Sequence, residues 1–327
     1  MSNDLPATGE RMKVGLLCNP LSGRVRKMKR PAAGIFSGSV DALYQEASTP
    51  VEIGAALDIL LAEQPEVLAV AGGDGTVQAV LTCLFESHGS TGWPPLCIIP
   101  AGTTNMTALD LGVRGGLTRV LKRLQGRLDR PLSSCLVQRP VLRIERPGRA
   151  DLYGMFFGAG AIASGVRYFH EKISRLGMTS EIAGGLVLLW LLGGLLVGRS
   201  GDALLPARLS VTGGDGDERE GAYIILLASA LDRLLLGTRP YWGRERAPIH
   251  ATLVRESPQR FWRSLPSLLR GRGEHLAAID GYESFNTTAL ELFMDDEFII
   301  DGELHAAESA EGPLRISSAG PATFFVP

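Results

Sequence analysis

Apolar and polar positions divide the chain into two unlike parts. In the first third, short unbroken apolar runs alternate with longer amphipathic stretches: KVGLLCNP, TPVEIGAALDILLAEQ, EVLAVAGG, TVQAVLTCLFES, LCIIPAG and LTRVLKRLQG. The short runs read as buried strands. The longer ones read as helices, as where Val77, Val80, Leu81 and Leu84 share one side after Thr76. Strands alternating with helices predict a parallel sheet covered on both faces. After Arg130 the segments become short, β-branched and bounded by Gly, Pro or Asp: CLVQRPVLRIER, ARLSVTGG, REGAYIILLASA, IHATLVR, EHLAAIDGYESFNT and PLRISSAG. That pattern predicts an antiparallel second domain, with a boundary near Arg130 to Ser134. The expected fold class is α/β plus β.

One segment fits neither half. From Ile182 to Gly198 no residue is charged, and Glu181 and Arg199 close the run. As a helix it would extend roughly 25 Å, short of the roughly 20 apolar residues of a membrane span. Paired glycines at 184, 185, 193 and 194 weaken it further. It is expected to be a buried or membrane-contacting helix rather than a transmembrane one.

Composition narrows the field modestly. A chain of 327 residues is comfortable for two domains, and its net charge of -2 gives no bulk attraction to nucleic acid. Cys18, Cys83, Cys97 and Cys135 lie in apolar segments without CxxC spacing, and the histidines form no paired ligand pattern. Reduced cytosolic thiols and no zinc are expected. The opening MSNDLPATGERMK lacks a basic region followed by an apolar one, which argues against a cleaved secretory signal.

The candidate chemistry sits where predicted strands end. In an open parallel sheet, ligands bind beyond the carboxyl ends of the strands. NPLSG (Asn19, Pro20, Leu21, Ser22, Gly23), GGDGT (Gly72, Gly73, Asp74, Gly75, Thr76) and PAGTTN (Pro100 to Asn105) should therefore meet at one rim. Glycines admit a close ligand, the first helical amides favour anions, and Ser22, Thr76, Thr103 and Thr104 offer hydroxyls. Together they point to a phosphate site. None matches the GxxxxGK[ST] P-loop or the GxGxxG fingerprint. Asp74 is unexpected in an anion cradle. It reads either as a residue facing a phosphate-bound metal ion or as a helix cap.

In that order and at this spacing, NPLSG, GGDGTVQAV and PAGTTN resemble the diacylglycerol kinase catalytic-domain family, which includes sphingosine kinases and bacterial lipid kinases. FFGAGAIASGV (Phe156 to Val166) and IIDGELHA (Ile299 to Ala306) extend the resemblance over nearly the whole chain. It implies an N-terminal α/β ATP-binding domain over 1–132 and a β-rich, sandwich-like lipid-substrate domain over 133–307. Residues 308–327 would return to the first. It also implies ATP with Mg²⁺, held by Asn19 to Gly23, Thr49, Gly72 to Thr76, Val77, Gln78 and Thr103, with Asp74 on the metal side. Asp301 and Glu303 would lie at the phosphoryl-transfer centre, with Glu303 favoured as proton acceptor and Asp301 beside it, and Asp74 is expected to be catalytic with them. In an extended strand the two would share one face, partly desolvated; the alternative is a polar turn around Gly302.

The chain also departs from the family. Gln78 and Ala79 replace the usual Asn-Glu after the apolar residue, Met106 stands where a second acid is usual, and APIHATLV, matching a metal-binding aspartate-rich loop, has no acid. That structural metal is expected to be absent. The expected activity is phosphorylation of a diacylglycerol-like or sphingoid lipid at a membrane surface, in the cytoplasm or at the inner membrane face. Alternatives are a kinase of a soluble alcohol and a non-catalytic nucleotide- or lipid-binding regulator. Oligomeric state stays open, a homodimer included. RFWRSLPSLLRGR (Arg260 to Arg272) and RPYWGRER mix aromatic and basic residues as interfacial segments do, and Lys27 and Lys29 are candidates to neutralise ATP.

Overall fold

The computed structural model describes residues 12–26, 41–127, 132–167, 207–214, 216–276 and 278–327. Lys27, Lys29 and the apolar run 182–198 lie outside the described residues. The chain forms two units, one running to Arg139 and including Pro321–Pro327, the other spanning Pro140–Gly320.

The first unit is an open parallel α/β sheet. Its elements are β1 (Lys13–Cys18), α1 (Gly23–Arg26), β2 (Asp41–Glu46), α2 (Pro50–Ala62), β3 (Val67–Gly72), α3 (Asp74–His88), β4 (Leu96–Pro100), α4 (Met106–Asp110) and α5 (Leu117–Arg127). The strand order is β2-β1-β3-β4, and every neighbouring pair is parallel. All six residues of β3 are buried, as expected of a central strand covered on both faces. Helix α2 buries Ile53, Ala56, Leu57 and Leu60, and α3 buries Val77, Val80, Leu81 and Leu84, each a stripe of 3.6-residue period. The sequence pattern did not announce β2: DALYQE is half polar and only partly buried, so it carries no apolar run.

The second unit is antiparallel. It comprises β5 (Leu136–Glu145, whose start belongs to the first unit), β6 (Leu152–Gly154), β7 (Phe156–Gly160), a helix described from 161 to 167, β8 (Ala207–Gly213), β9 (Glu218–Ser229), β10 (Ile249–Arg255), α6 (Phe261–Leu269), β11 (Tyr282–Thr287), β12 (Ala289–Met294), β13 (Asp296–Ile300), β14 (Glu303–Ala307) and β15 (Leu314–Phe325). Strand β9 organises it, pairing with β8 through its first half and with β7 and β10 through its second. Next to β7 lies the β13–β14 hairpin. The end of β15 lies in the first unit, where Phe324 pairs in parallel with Leu96. The segment APIHATLV is no loop: its Ile249 onward forms β10.

Candidate active site

Three loops of the first unit close on one another at the carboxyl ends of β1, β3 and β4. Asn19 ties the first to the second. Its backbone N–H donates to Ala71 O (2.9 Å), its Nδ2 donates to Thr76 Oγ1 (2.9 Å), and its Oδ1 accepts from Leu21 N (2.9 Å). The first loop is also tied to the third, with Arg24 N donating to Ala101 O (3.1 Å) and Arg24 Nη1 to Pro100 O (3.3 Å). The second and third meet through Ala101 N to Gly72 O (2.9 Å) and through bare backbone. A Cβ on Gly73 would stand 3.2 Å from Gly102 Cα, and one on Gly102 would fall against Gly73 Cα. Glycine is required at Gly102 for that approach, whereas a methyl at Gly73 would ask the third loop to give by a few tenths of an ångström. Asn105, in the left-handed region (φ 49°), folds the third loop on itself through Gly102 N to Oδ1 (2.9 Å) and Nδ2 to Gly102 O (2.7 Å). Among the described residues, the N–H groups of Asp74 and Gly75 at the start of α3 have no acceptor, which leaves them for an anion.

Asp74 does not point into that cradle. Its carboxylate accepts from Thr104 Oγ1 (2.5 Å) and Thr107 N (3.3 Å), and the amides of Asn105 and Met106 also reach it. It thus caps α4, whose own N-terminal residue Asn105 makes no side-chain cap. Burial pushes the Asp74 carboxyl up, and these hydrogen bonds oppose the shift. Sequence reading weighed a metal-side role against capping of Asp74's own helix; the structure shows a cap on a neighbouring one. Mg²⁺ bound directly to Asp74 does not fit this arrangement, since both carboxylate oxygens already accept hydrogen bonds. Thr49 also has a structural duty: its Oγ1 accepts from Glu52 N (3.3 Å) and the Glu52 carboxylate reaches back to Thr49 N (3.2 Å), a capping box opening α2. Gln78 is buried and donates to Thr82 Oγ1 (3.2 Å). Around the cradle, Pro20, Ser22, Gly23 and Thr103 are half-buried, Leu21 is exposed, and Val77 faces the core.

In the second unit, Asp301 and Glu303 do not sit together on an extended strand. Asp301 (φ 48°) and Gly302 (φ 95°) form a two-residue turn between β13 and β14. Two successive positive φ values are what a tight hairpin of matching twist requires, and Asp-Gly supplies them. Asp301 is buried, its N–H donating to Phe156 O (3.0 Å) and its Oδ2 accepting from Met155 N (2.9 Å). Glu303, first residue of β14, is exposed, which corrects the expectation that both carboxylates are desolvated. His305 follows on the same side of β14. It stacks on Phe298 (5.5 Å between centroids), which stacks on Phe157 (5.2 Å), and its Nε2 is buried without a partner among the described residues. Burial, aided by the charge of Arg146, lowers the imidazole to about 4, so it is neutral near pH 7.

Residues 13–137 match the diacylglycerol kinase catalytic domain. A stretch of 152 residues, 43% of the chain, is 26% identical to sphingosine kinase B of Dictyostelium discoideum. That stretch covers only 19% of the Dictyostelium protein. Among solved structures, a provisionally assigned diacylglycerol kinase of Bacillus anthracis str. Sterne superimposes with a TM-score of 0.63 at 17% identity, over 100% of this chain and 98% of its own. A further Bacillus anthracis diacylglycerol kinase structure gives 0.58 at 16% identity, over 98% of each chain. At those identities the likeness is one of fold, a mixed architecture with parallel N-terminal and antiparallel C-terminal strands.

Within residues 13–137, the sequence locates the loops but not their fastenings. Thr107 was missed because a threonine inside a helix announces nothing. Gly102 and Asn105 stood in a quoted motif without a role, and only contact with the second loop supplies one. His305 was likewise passed over; its spacing from Glu303 was the available signal.

Proposed function

We propose that the protein is an ATP-dependent lipid kinase that transfers the γ-phosphate to a hydroxyl of a diacylglycerol-like or sphingoid lipid. The observation that carries this reading is the interlocking of the loops at 19–23, 72–76 and 100–105 around open α3 amides, inside a domain matched to that kinase family. Such a cradle suits the phosphates of ATP, for which the open amides of Asp74 and Gly75 and the hydroxyls of Ser22 and Thr103 are the proposed partners. In the reaction the acceptor oxygen bonds to the γ-phosphorus while the bond to the bridging β-phosphate oxygen breaks and ADP leaves. The hydroxyl proton passes to a carboxylate, for which exposed Glu303 is the candidate. Asp301, buried and hydrogen-bonded, would hold the turn that presents it. Mg²⁺ enters only as the counter-ion that ATP carries in solution.

The test is incubation of the full chain with γ-labelled ATP and a total lipid extract, then identification of the labelled species. A labelled phosphomonoester of a hydroxylated lipid is the expected product. Labelling of a water-soluble alcohol alone would assign the soluble-substrate reading. ATP binding with no transfer to any acceptor would assign the regulator.

A further inference from the structure

Helix α6 is anchored from one side only. Leu268 is buried in a cluster with Ile224, Val254 and Tyr282, and Phe261 and Leu269 pack against it. The opposite stripe, Trp262, Arg263, Pro266 and Arg270, faces solvent, with Trp262 41% exposed and set edge-on against Phe261 (5.2 Å between centroids). Arg260 and Arg272 flank it. Among the described residues, no carboxylate pairs with Arg260, Arg263, Arg270 or Arg272. Of the acids near α6, Glu274 pairs with Arg244 (3.4 Å) and Glu283 with Arg219 (2.9 Å), while Asp280, whose carbonyl accepts from Gln259 N (2.9 Å), leaves the four arginines in excess.

Local stability explains Arg270, the C-cap of α6, which meets the negative end of the helix dipole and donates from Nη1 to Pro266 O (3.5 Å), but not the residues at the N-terminal end. Arg260 and Arg263 occupy the N-terminal end of α6, where the helix dipole disfavours basic side chains. Arg260 is also held at φ 51° and makes no cap. The other end carries a comparable feature. Arg239 N donates to Leu269 O (2.9 Å), pinning to α6 the loop in which Leu236 is 72% exposed at φ 58°. An exposed indole, one strained backbone and four cations without a carboxylate partner thus gather on nine helical residues and their flanks, with the loop carrying Leu236 tied to the far end, in a chain whose net charge is -2.

We propose that this face docks on an anionic bilayer surface, with Trp262 at headgroup depth and the arginines on lipid phosphates and carboxylates. Cations alone would suit any polyanion. The exposed indole among them favours the interface of a membrane, where an amphipathic ring is apolar on one side and wet on the other. The inference does not depend on the kinase reading, since docking requires neither nucleotide nor turnover.

Cosedimentation of the full chain with phosphatidylcholine vesicles, with and without about one-third phosphatidylserine, tests it. Binding is expected only to the anionic vesicles, and it should weaken steeply from about 0.1 M to about 1 M salt as the Debye length falls from ~10 to ~3 Å. Each basic residue near such a surface is worth about fivefold, so Arg263→Glu with Arg270→Glu should lower binding at least about twenty-five-fold. Arg263→Lys with Arg270→Lys should retain it. Trp262→Ala should also weaken binding, with thermal unfolding as in the wild type for every variant. No vesicle binding, equal binding to neutral vesicles, or binding indifferent to charge reversal would overturn the proposal. So would a homodimer that Trp262→Ala dissociates while vesicle binding is unchanged, which would give the face to a second copy.

Discussion

At the scale of the residue, Asp74 shows how a conspicuous side chain can serve an inconspicuous end. A carboxylate beside open amides would repel a phosphate, but the Asp74 oxygens are turned to Thr104 and to the first amides of α4. It therefore positions the third loop rather than facing a ligand. Asp74→Ala would leave the Thr104 hydroxyl and the Thr107 amide buried without an acceptor, at a cost of about 2–4 kcal/mol. Asp74→Asn, which retains one carbonyl oxygen for the Thr107 amide, should lose less. Urea unfolding of the two variants checks this. Wild-type stability in Asp74→Ala, together with an altered Mg²⁺ dependence of turnover, would return the carboxylate to the ion.

At the scale of the element, the cradle depends on how close two strand-to-helix turns can come. The backbones of Gly73 and Gly102 touch, so Gly102 must be glycine because of Gly73. In Gly102→Ala the new methyl would collide with Gly73 Cα, and the second and third loops must part to admit it. ATP affinity should fall at least about tenfold, equivalent to about 1.4 kcal/mol, while α2, opened by its own capping box, and α3, held by its buried stripe, persist by circular dichroism. Unchanged affinity by calorimetry would separate nucleotide binding from this contact. The helices and buried strands here were legible from their periods: α2, α3, β1, β3 and β4 each lie where the apolar pattern put them. Strand β2 and the β13–β14 hairpin were not, because a half-polar edge or a tight turn leaves no apolar run. The hairpin instead announced itself through Asp301 and Gly302, whose turn chemistry was read only as the lesser alternative.

At the scale of the whole molecule, the candidate phosphate-binding loops and the candidate proton acceptor belong to different units, so their losses should be separable. Glu303→Gln should leave ATP affinity unchanged and lower lipid phosphorylation by on the order of a hundred- to ten-thousand-fold, because the side chain is exposed and supports no fold contact among the described residues. Near wild-type turnover in that variant would reduce the Asp301–Gly302–Glu303 segment to a hairpin. The sequence alone determined the succession of parallel α/β and antiparallel β parts, the glycine-rich strand ends and the resemblance of residues 13–137 to the diacylglycerol kinase catalytic domain. All of these are written in local period, turn residues and motif order. Tertiary structure alone decided where the Asp74 carboxylate turns, that Gly102 must be glycine because of Gly73, and that Asp301 is buried while Glu303 is exposed. Those outcomes depend on contacts between distant positions, Asp74 and Thr104 being 30 residues apart and Asp301 and Met155 146 apart. A hydrogen bond across such separations forms only when packed elements bring donor and acceptor together, and no periodicity of the chain encodes which acceptor that will be.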